Sequence, residues 1–137
     1  ITPLQYTILA YVSDESKLKR KEDKTEEIEI TILDNFIKRN KIQKINFIKC
    51  DVEGFELNVF KGAEKTLKKH KPLVFVEIEE RHTKKYKIKP QQVYNFFKKL
   101  GYVCYSVKKD NLEKTDTIGP QIPLYLFIHR KSKVTPS

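Results

Sequence analysis

The chain is poor in the residue types that build small, specialised sites. Its 137 residues include two cysteines, four glycines, no methionine and no tryptophan. Cys50 and Cys104 stand alone, without C-x-x-C or histidine-rich spacing, so neither a zinc site nor a disulfide scaffold is indicated. Both lie in apolar runs, and we expect two buried free thiols. No metal site is predicted.

Long apolar runs are also absent. No stretch approaches the roughly 18 consecutive apolar residues of a membrane span, and no positively flanked apolar segment opens the chain. We therefore expect no membrane partner and a cytoplasmic location. The length predicts a single domain over residues 1–137, with an uncertain strand and polar loop at 1–30 and a disordered tail at 131–137.

Arginine is scarce although the formal net charge is +10. Arginine is the side chain that forks onto phosphates and guanines. The lysines are spread along the whole chain, which favours a solvated surface, and no nucleic-acid partner is expected. A basic module that binds nucleic acid or an anionic surface remains the alternative. The arginines are Arg20, Arg39, Arg81 and Arg130.

Apolar runs alternate with helical patterns, which is typical of an α/β fold with parallel strand pairing. A strand of uncertain place is predicted at 5–12 and a short one at 27–31. Further strands are predicted at 45–51, 73–78, 102–107 and 124–129. Helices are predicted at 33–40, with Thr31 or Asp34 as its cap, at 55–69 and at 91–100. The stretch 108–123 is expected to be a polar loop.

Acidic residues follow two of the predicted strands. Asp51 and Glu53 come at the end of strand 45–51, and Glu77 and Glu79 end strand 73–78, with His82 close behind. Ligands bind beyond the carboxyl ends of parallel strands, so we expect these side chains to share one cleft. Repulsion between Asp51 and Glu53 is expected to raise the pKa of one of them towards that of a useful base.

Glu56 is interpreted differently from the other acids. It falls in the first turn of the helix predicted at 55–69. A carboxylate at that position compensates the helix dipole, and we expect this role for Glu56 rather than a place in the cleft.

Five short motifs in a fixed order resemble the FkbM family of S-adenosylmethionine-dependent methyltransferases. The resemblance runs from about Glu27 to Leu126. It comprises a T-L-D-x-F pattern with Ile32 inserted, K-x-D-x-E-G-x-E at 49–56, L-K-G-A at 60–63 with Phe60 in place of Leu, P-L-x-x-x-E at 72–77 and L-G-Y at 100–102.

The resemblance implies a fold and a reaction. The fold is a partial Rossmann-like class I methyltransferase sheet, mostly parallel, with 124–129 as an antiparallel last strand. The reaction is methyl transfer from the cofactor S-adenosylmethionine to a hydroxyl of a sugar or another polar metabolite, a small-molecule or glycan acceptor. The residues implied are Asp51, Glu53 and Glu77 for catalysis, Asp51 and Val52 for the cofactor, and Glu79 and His82 for the substrate.

One part of the family pattern is missing. A glycine-rich turn lets the backbone approach the cofactor, but none of the four glycines stands in a G-x-G arrangement. With Ile1 at its start and no methionine, the chain is expected to be the C-terminal portion of a longer enzyme, whose N-terminal part would be its partner. A catalytically inactive structural domain is the second alternative.

Overall fold

The computed structural model describes residues 30–134, and the predicted strand at 5–12 and the last three residues of the predicted tail lie outside them. Ile30 and Thr31, the described end of the strand predicted at 27–31, are not in a strand. The helices are α1 (Leu33–Arg39), α2 (Glu56–Lys61), α3 (Glu64–His70), α4 (Glu80–Thr83), with a 3₁₀ turn at Lys84–Tyr86, and α5 (Pro90–Lys99). The strands are β1 (Phe47–Cys50), β2 (Leu73–Glu77), β3 (Tyr102–Val107), β4 (Leu112–Thr115) and β5 (Leu124–His129).

The five strands form one sheet in the order β1-β2-β5-β3-β4. Only β1 and β2 pair in parallel, whereas β5 is antiparallel to both β2 and β3, and β3 is antiparallel to β4. The expected antiparallel last strand is confirmed, but the expectation of a mostly parallel, Rossmann-like sheet is wrong for the described residues. β3 does run in the direction of β1 and β2. Because β5 lies between β2 and β3, however, β3 has no parallel neighbour.

β4 was not predicted from the sequence. It lies in the stretch expected to be a polar loop, and its residues show no apolar alternation because most of them are exposed. It forms a hairpin with β3 in which Val107 is opposite Leu112, and the Lys108 N–H donates to the Asn111 carbonyl in the turn. Pairing with β3, rather than any pattern of its own, therefore makes this segment a strand.

The single helix predicted at 55–69 is two helices, α2 and α3, separated at Gly62 and Ala63. A side chain at position 62 would place its Cβ 2.8 Å from the Cβ of Ile32, so glycine allows the start of α1 to approach closely. Asp34 fixes the break, since its carboxylate accepts hydrogen bonds from the Lys65 N–H at 3.1 Å and the Thr66 N–H at 2.9 Å. The prediction that Thr31 or Asp34 caps α1 is therefore wrong: no described side chain caps that helix, and the Asp34 carboxylate caps α3 instead.

The core lies between the sheet and the helices, and Phe97 of α5 is at its centre. Its ring is fully buried and stacks on Phe127 of β5 with centroids 4.2 Å apart. Edge contacts to Phe60 and Tyr102 connect the same ring to α2 and β3. Cys50 and Cys104 are buried and free, as expected. Burial raises the pKa of both thiols well above the ordinary value.

β1 is an edge strand within residues 30–134, where it pairs with β2 alone. Phe47 is 54% exposed, and Lys49 is also exposed. A central parallel strand would be covered on both faces. Within the described residues β1 is instead partly exposed.

We predict that Phe97→Ala lowers the free energy of unfolding by about 3–5 kcal/mol, because it removes a fully buried ring and leaves a cavity between α5 and its neighbours α2, β3 and β5. Urea denaturation followed by circular dichroism would measure the loss. Phe47→Ala is the matched control, and we expect it to cost less than about 1 kcal/mol since its ring is half exposed. Equal losses for the two variants would contradict the assignment of Phe97 to the centre of the core.

Candidate functional site

The acid-rich turn after β1 is held by the carboxylate of Glu56. Glu53 and Gly54 both adopt positive φ, at 51° and 105°. Glu56 is 1% exposed, and its Oε1 accepts hydrogen bonds from the Val52 N–H at 3.2 Å and the Gly54 N–H at 3.1 Å. The turn is therefore fixed from inside by a buried charge. The expected role of Glu56, compensation of the helix dipole, omits these contacts.

Gly54 also positions the loop after β2. A Cβ at position 54 would lie 2.2 Å from the carbonyl oxygen of His82, so no other residue fits there without a shift of α4. His82 belongs to α4, which begins directly after Glu79. In its first turn the His82 N–H donates to the Glu79 carbonyl at 3.0 Å. This close approach brings the end of β2 and the turn after β1 together.

The two strand ends enclose a polar cavity of about 140 Å³. Five of the predicted site residues therefore meet in one place, as expected from adjacent parallel strand ends. Its lining consists of Asp51, Glu53, Gly54, Glu56, Glu77, Glu79, Arg81 and His82.

Val52, the remaining predicted site residue, does not line this cavity. Val52 is 39% exposed, and it takes part in the turn through its backbone: its N–H donates to Glu56 Oε1 and its carbonyl accepts from the Phe55 N–H.

Glu77 has the most perturbed acidic group of the site. Its pKa is raised from 4.5 to about 7, first by a hydrogen bond shared with the Glu79 carboxyl, then by burial and by the hydrogen bond and charge of Asp51. The sequence led us to expect a raised pKa on Asp51 or Glu53 through their mutual repulsion. The structure instead places a raised pKa on Glu77 of the neighbouring strand, and its largest cause is the hydrogen bond with Glu79.

Arg81 offsets part of the negative charge. Its Nε donates to Glu79 Oε2 at 2.6 Å, and this ion pair lowers the pKa of Glu79. Glu77 and Glu79 therefore differ in environment, because Glu79 has a cation beside it and Glu77 has other carboxylates. Such a separation of pKa values between neighbouring acids is typical of acid–base sites.

Two buried polar atoms beside the cavity have no hydrogen-bond partner among the described residues. They are Glu56 Oε2 and His82 Nδ1. A buried carboxylate oxygen without a donor is costly, so an atom of this kind in a native site marks a place where a ligand or water donates.

Sequence reasoning missed the contributions of Glu56 and Arg81 to this cavity. Arg81 stands inside the same E-I-E-E-R-H run as Glu79 and His82, and the spacing of opposite charges two residues apart was the available signal. For Glu56 the signal was its position two residues after a glycine, where a side chain can reach back to the backbone of the turn.

The cavity does not fit the whole of S-adenosylmethionine. Sites for ligands of that size usually have volumes of about 300–1,000 Å³, against about 140 Å³ here. Its lining of carboxylates suits hydroxyl or cationic groups, and the described residues contain no glycine-rich turn beside it. A larger groove of about 610 Å³ lies between α5 and β4, but none of the predicted site residues line it. The described residues therefore fit only the polar end of a reaction site.

Two further structural findings concern residues 30–134. No group of three or more histidine, cysteine or acidic side chains is arranged there to hold a metal ion. No helix in this part of the chain is long and apolar enough to cross a membrane.

Comparison with known proteins identifies one family. The profile of the methyltransferase FkbM domain matches residues 4–104, which is most of the chain, and confirms the resemblance found in the sequence motifs. The match begins before the first of those motifs and ends at Cys104 in β3, so it includes both acid-bearing strand ends. Neither the curated proteins nor the solved structures give a match.

We predict that the contribution of Glu77 to the free energy of unfolding falls as the pH rises from about 4.5 to about 7, because folded Glu77 holds its proton more tightly than the unfolded chain does. This stabilisation is complete below the unfolded pKa and is lost as the pH rises through the folded pKa. Glu77→Gln removes it, so the variant should gain stability relative to the parent over this range.

Urea denaturation at several pH values across that range would measure the effect. Glu64→Gln is the control, since Glu64 forms an exposed ion pair with Lys68 on α3. Identical pH dependence in the parent chain and Glu77→Gln would show that Glu77 titrates normally.

Proposed function

This chain belongs to the FkbM methyltransferase family, and from this we propose that it methylates a hydroxyl oxygen of a sugar or another polar metabolite. S-adenosylmethionine, the proposed cofactor, supplies an electrophilic methyl group when bound. One observation carries the proposal: the strand ends bring Glu77, with a pKa near 7, into a cavity with Asp51 and Glu79. The family supports methyl transfer in general, and the acids support oxygen as the acceptor atom.

Glu77 is the proposed general base. A hydroxyl is a weak nucleophile until its proton is removed, and a base is most effective when its pKa is close to the working pH. With a pKa of about 7, Glu77 is largely ionised just above neutral pH and holds a proton more strongly than an ordinary carboxylate. The proton passes from the acceptor oxygen to the Glu77 carboxylate as that oxygen becomes the nucleophile.

The other cavity acids are proposed to position the acceptor. Asp51 and Glu53 lie on the turn after β1, and Glu79 and His82 follow the end of β2. Hydroxyl groups of a polyol can donate to these side chains from several directions, so one hydroxyl is directed at Glu77. Orientation of this kind supplies much of the rate enhancement in reactions that need only alignment and one proton transfer.

The rigidity of the turn supports this positioning role. Glu56 holds the backbone at Val52 and Gly54, and Gly54 packs directly against the His82 backbone, so the two strand ends lie in contact. A site built on strand ends with a buried supporting group keeps its geometry better than one on a free loop.

Cofactor contacts are proposed for Asp51 and Val52, the two residues beside the end of β1. The cavity holds only the polar end of the reaction, so we propose that the rest of the cofactor binds residues of the same domain outside 30–134. No nucleic-acid partner is proposed, because the carboxylates of this cavity repel phosphates.

We predict that Glu77→Gln lowers the rate of methyl transfer by about 100-fold or more, since a general base contributes about 10²–10⁴. Transfer of labelled methyl groups from S-adenosylmethionine to a panel of sugars and polyols would measure it. The parent rate should rise with pH to a plateau above about 7, and Asp51→Asn should also lose activity.

Glu64→Gln on the exposed face of α3 is the control and should retain full activity. Activity of Glu77→Gln within about twofold of the parent would remove Glu77 from the mechanism. Absence of transfer to every hydroxyl acceptor, under conditions in which S-adenosylmethionine is shown to be bound, would contradict the proposed reaction.

A further inference from the structure

The cavity at the strand ends carries more negative charge than its own residues neutralise. Five carboxyl groups and one arginine line it. The carboxyl groups belong to Asp51, Glu53, Glu56, Glu77 and Glu79. Arg81 forms its ion pair with Glu79, and its side chain is 74% exposed. Its charge also acts on Glu53 and Glu77, but one cation does not offset five acids. Within residues 30–134 the remaining four acids have no ion-pair partner. A cation is therefore the group that this cavity lacks.

Glu56 gives an independent indication of a ligand. Its Oε1 is used by the turn, but its Oε2 is buried and receives no hydrogen bond from the described residues. A buried carboxyl oxygen in that position requires a hydrogen-bond partner, and the benefit is greatest when the donor is charged. Since Glu56 lines the cavity, a ligand in the cavity is within its reach.

Size and donor geometry select the kind of cation. A cavity of about 140 Å³ has room for roughly four water-sized groups. No three acidic, histidine or cysteine side chains in the described part of the chain are arranged to ligate a metal ion. A primary ammonium has three donors that point in different directions, and it can reach carboxylates on both strand ends at once.

We propose that this cavity binds a primary ammonium group of the acceptor, so that the substrate is an amino alcohol or amino sugar whose hydroxyl is methylated. The inference rests on the proposed function and adds the class of acceptor. The ammonium lies against Glu56 Oε2 and Asp51, and the hydroxyl on the neighbouring carbon faces Glu77. A bound cation offsets part of the repulsion between the Glu77 and Asp51 carboxyls.

The test uses the full 137-residue chain and two small probes of equal size. Ethanolamine carries an ammonium and a hydroxyl, and ethylene glycol replaces the ammonium with a second hydroxyl. At a pH above the pKa of Glu77, ethanolamine should shift the amide signals of Val52 and Gly54 in a saturable way, with a millimolar Kd. Ethylene glycol should give no saturable shift, and sodium chloride at equal ionic strength controls for screening.

Glu56→Gln is the decisive variant. Its amide oxygen can still accept from Val52 and Gly54, while its amide nitrogen replaces the oxygen that faces the ligand. Ethanolamine should bind to Glu56→Gln at least about tenfold more weakly than to the parent chain. The control variant Glu64→Gln should bind ethanolamine with the affinity of the parent. If Glu56→Gln does not fold, Glu77→Gln supplies the second test, since it also removes a cavity charge. Bound ethanolamine should in addition lower the pKa of Glu77 in the parent chain.

Saturation by ethylene glycol, or ethanolamine shifts no larger than those from salt, would overturn the inference. Competition by S-adenosylhomocysteine for the ethanolamine site would also overturn it, because the ammonium would then belong to the donor. Methyl transfer to neutral polyols without ethanolamine binding would leave the proposed function standing and defeat only the ammonium site. Ethanolamine binding without any methyl transfer, while S-adenosylmethionine is shown to be bound, would support the site and contradict the proposed reaction.

Discussion

The buried carboxylate of Glu56 is the contact on which the site depends. It accepts hydrogen bonds from two backbone N–H groups of the turn after β1, and that turn contains two residues with positive φ. Conformations of this kind persist only when the surrounding structure enforces them. The carboxylate supplies that enforcement from the first turn of α2, so the helix, the turn and the strand end form one unit.

The same unit determines where the neighbouring strand end lies. Gly54 packs against the backbone of His82 so closely that a methyl group would collide with it. β1 and β2 are paired in parallel, and this contact closes the gap between their carboxyl ends. The raised pKa of Glu77 is a consequence, because Asp51 and Glu79 are held within hydrogen-bonding range of it. A fold with a looser turn would let these acids separate and titrate normally.

Sequence patterns predicted the elements that carry their own signal. β3 and β5 are apolar runs, and α5 is bounded by Pro90 at its start and Gly101 just after its end. The patterns failed where tertiary contacts decide the structure. β4 is a polar segment that becomes a strand by pairing with β3. The break between α2 and α3 depends on Asp34 of α1 and on Ile32 just before that helix.

In the sheet and in the site, too, some features were predicted from the sequence and others were not. Parallel pairing was predicted for strands connected by helices, and their directions were right, but the insertion of β5 depends on a return of the chain that strand patterns do not encode. The acids at the strand ends were predicted because position along a strand fixes which edge of the sheet they reach. The roles of Glu56 and Arg81 depend on side-chain direction within a turn, which spacing alone does not give.

Titration of Glu77 by carbon NMR of the glutamate side-chain carboxyls tests most directly whether the two strand ends are held together. One glutamate should titrate with a pKa of about 7. The signal should be assigned to Glu77 by its loss in Glu77→Gln, and its pKa should fall in Asp51→Asn. A Glu77 carboxyl that titrates near the ordinary value of about 4.3 would show that the two strand ends are not held together, and would contradict the account.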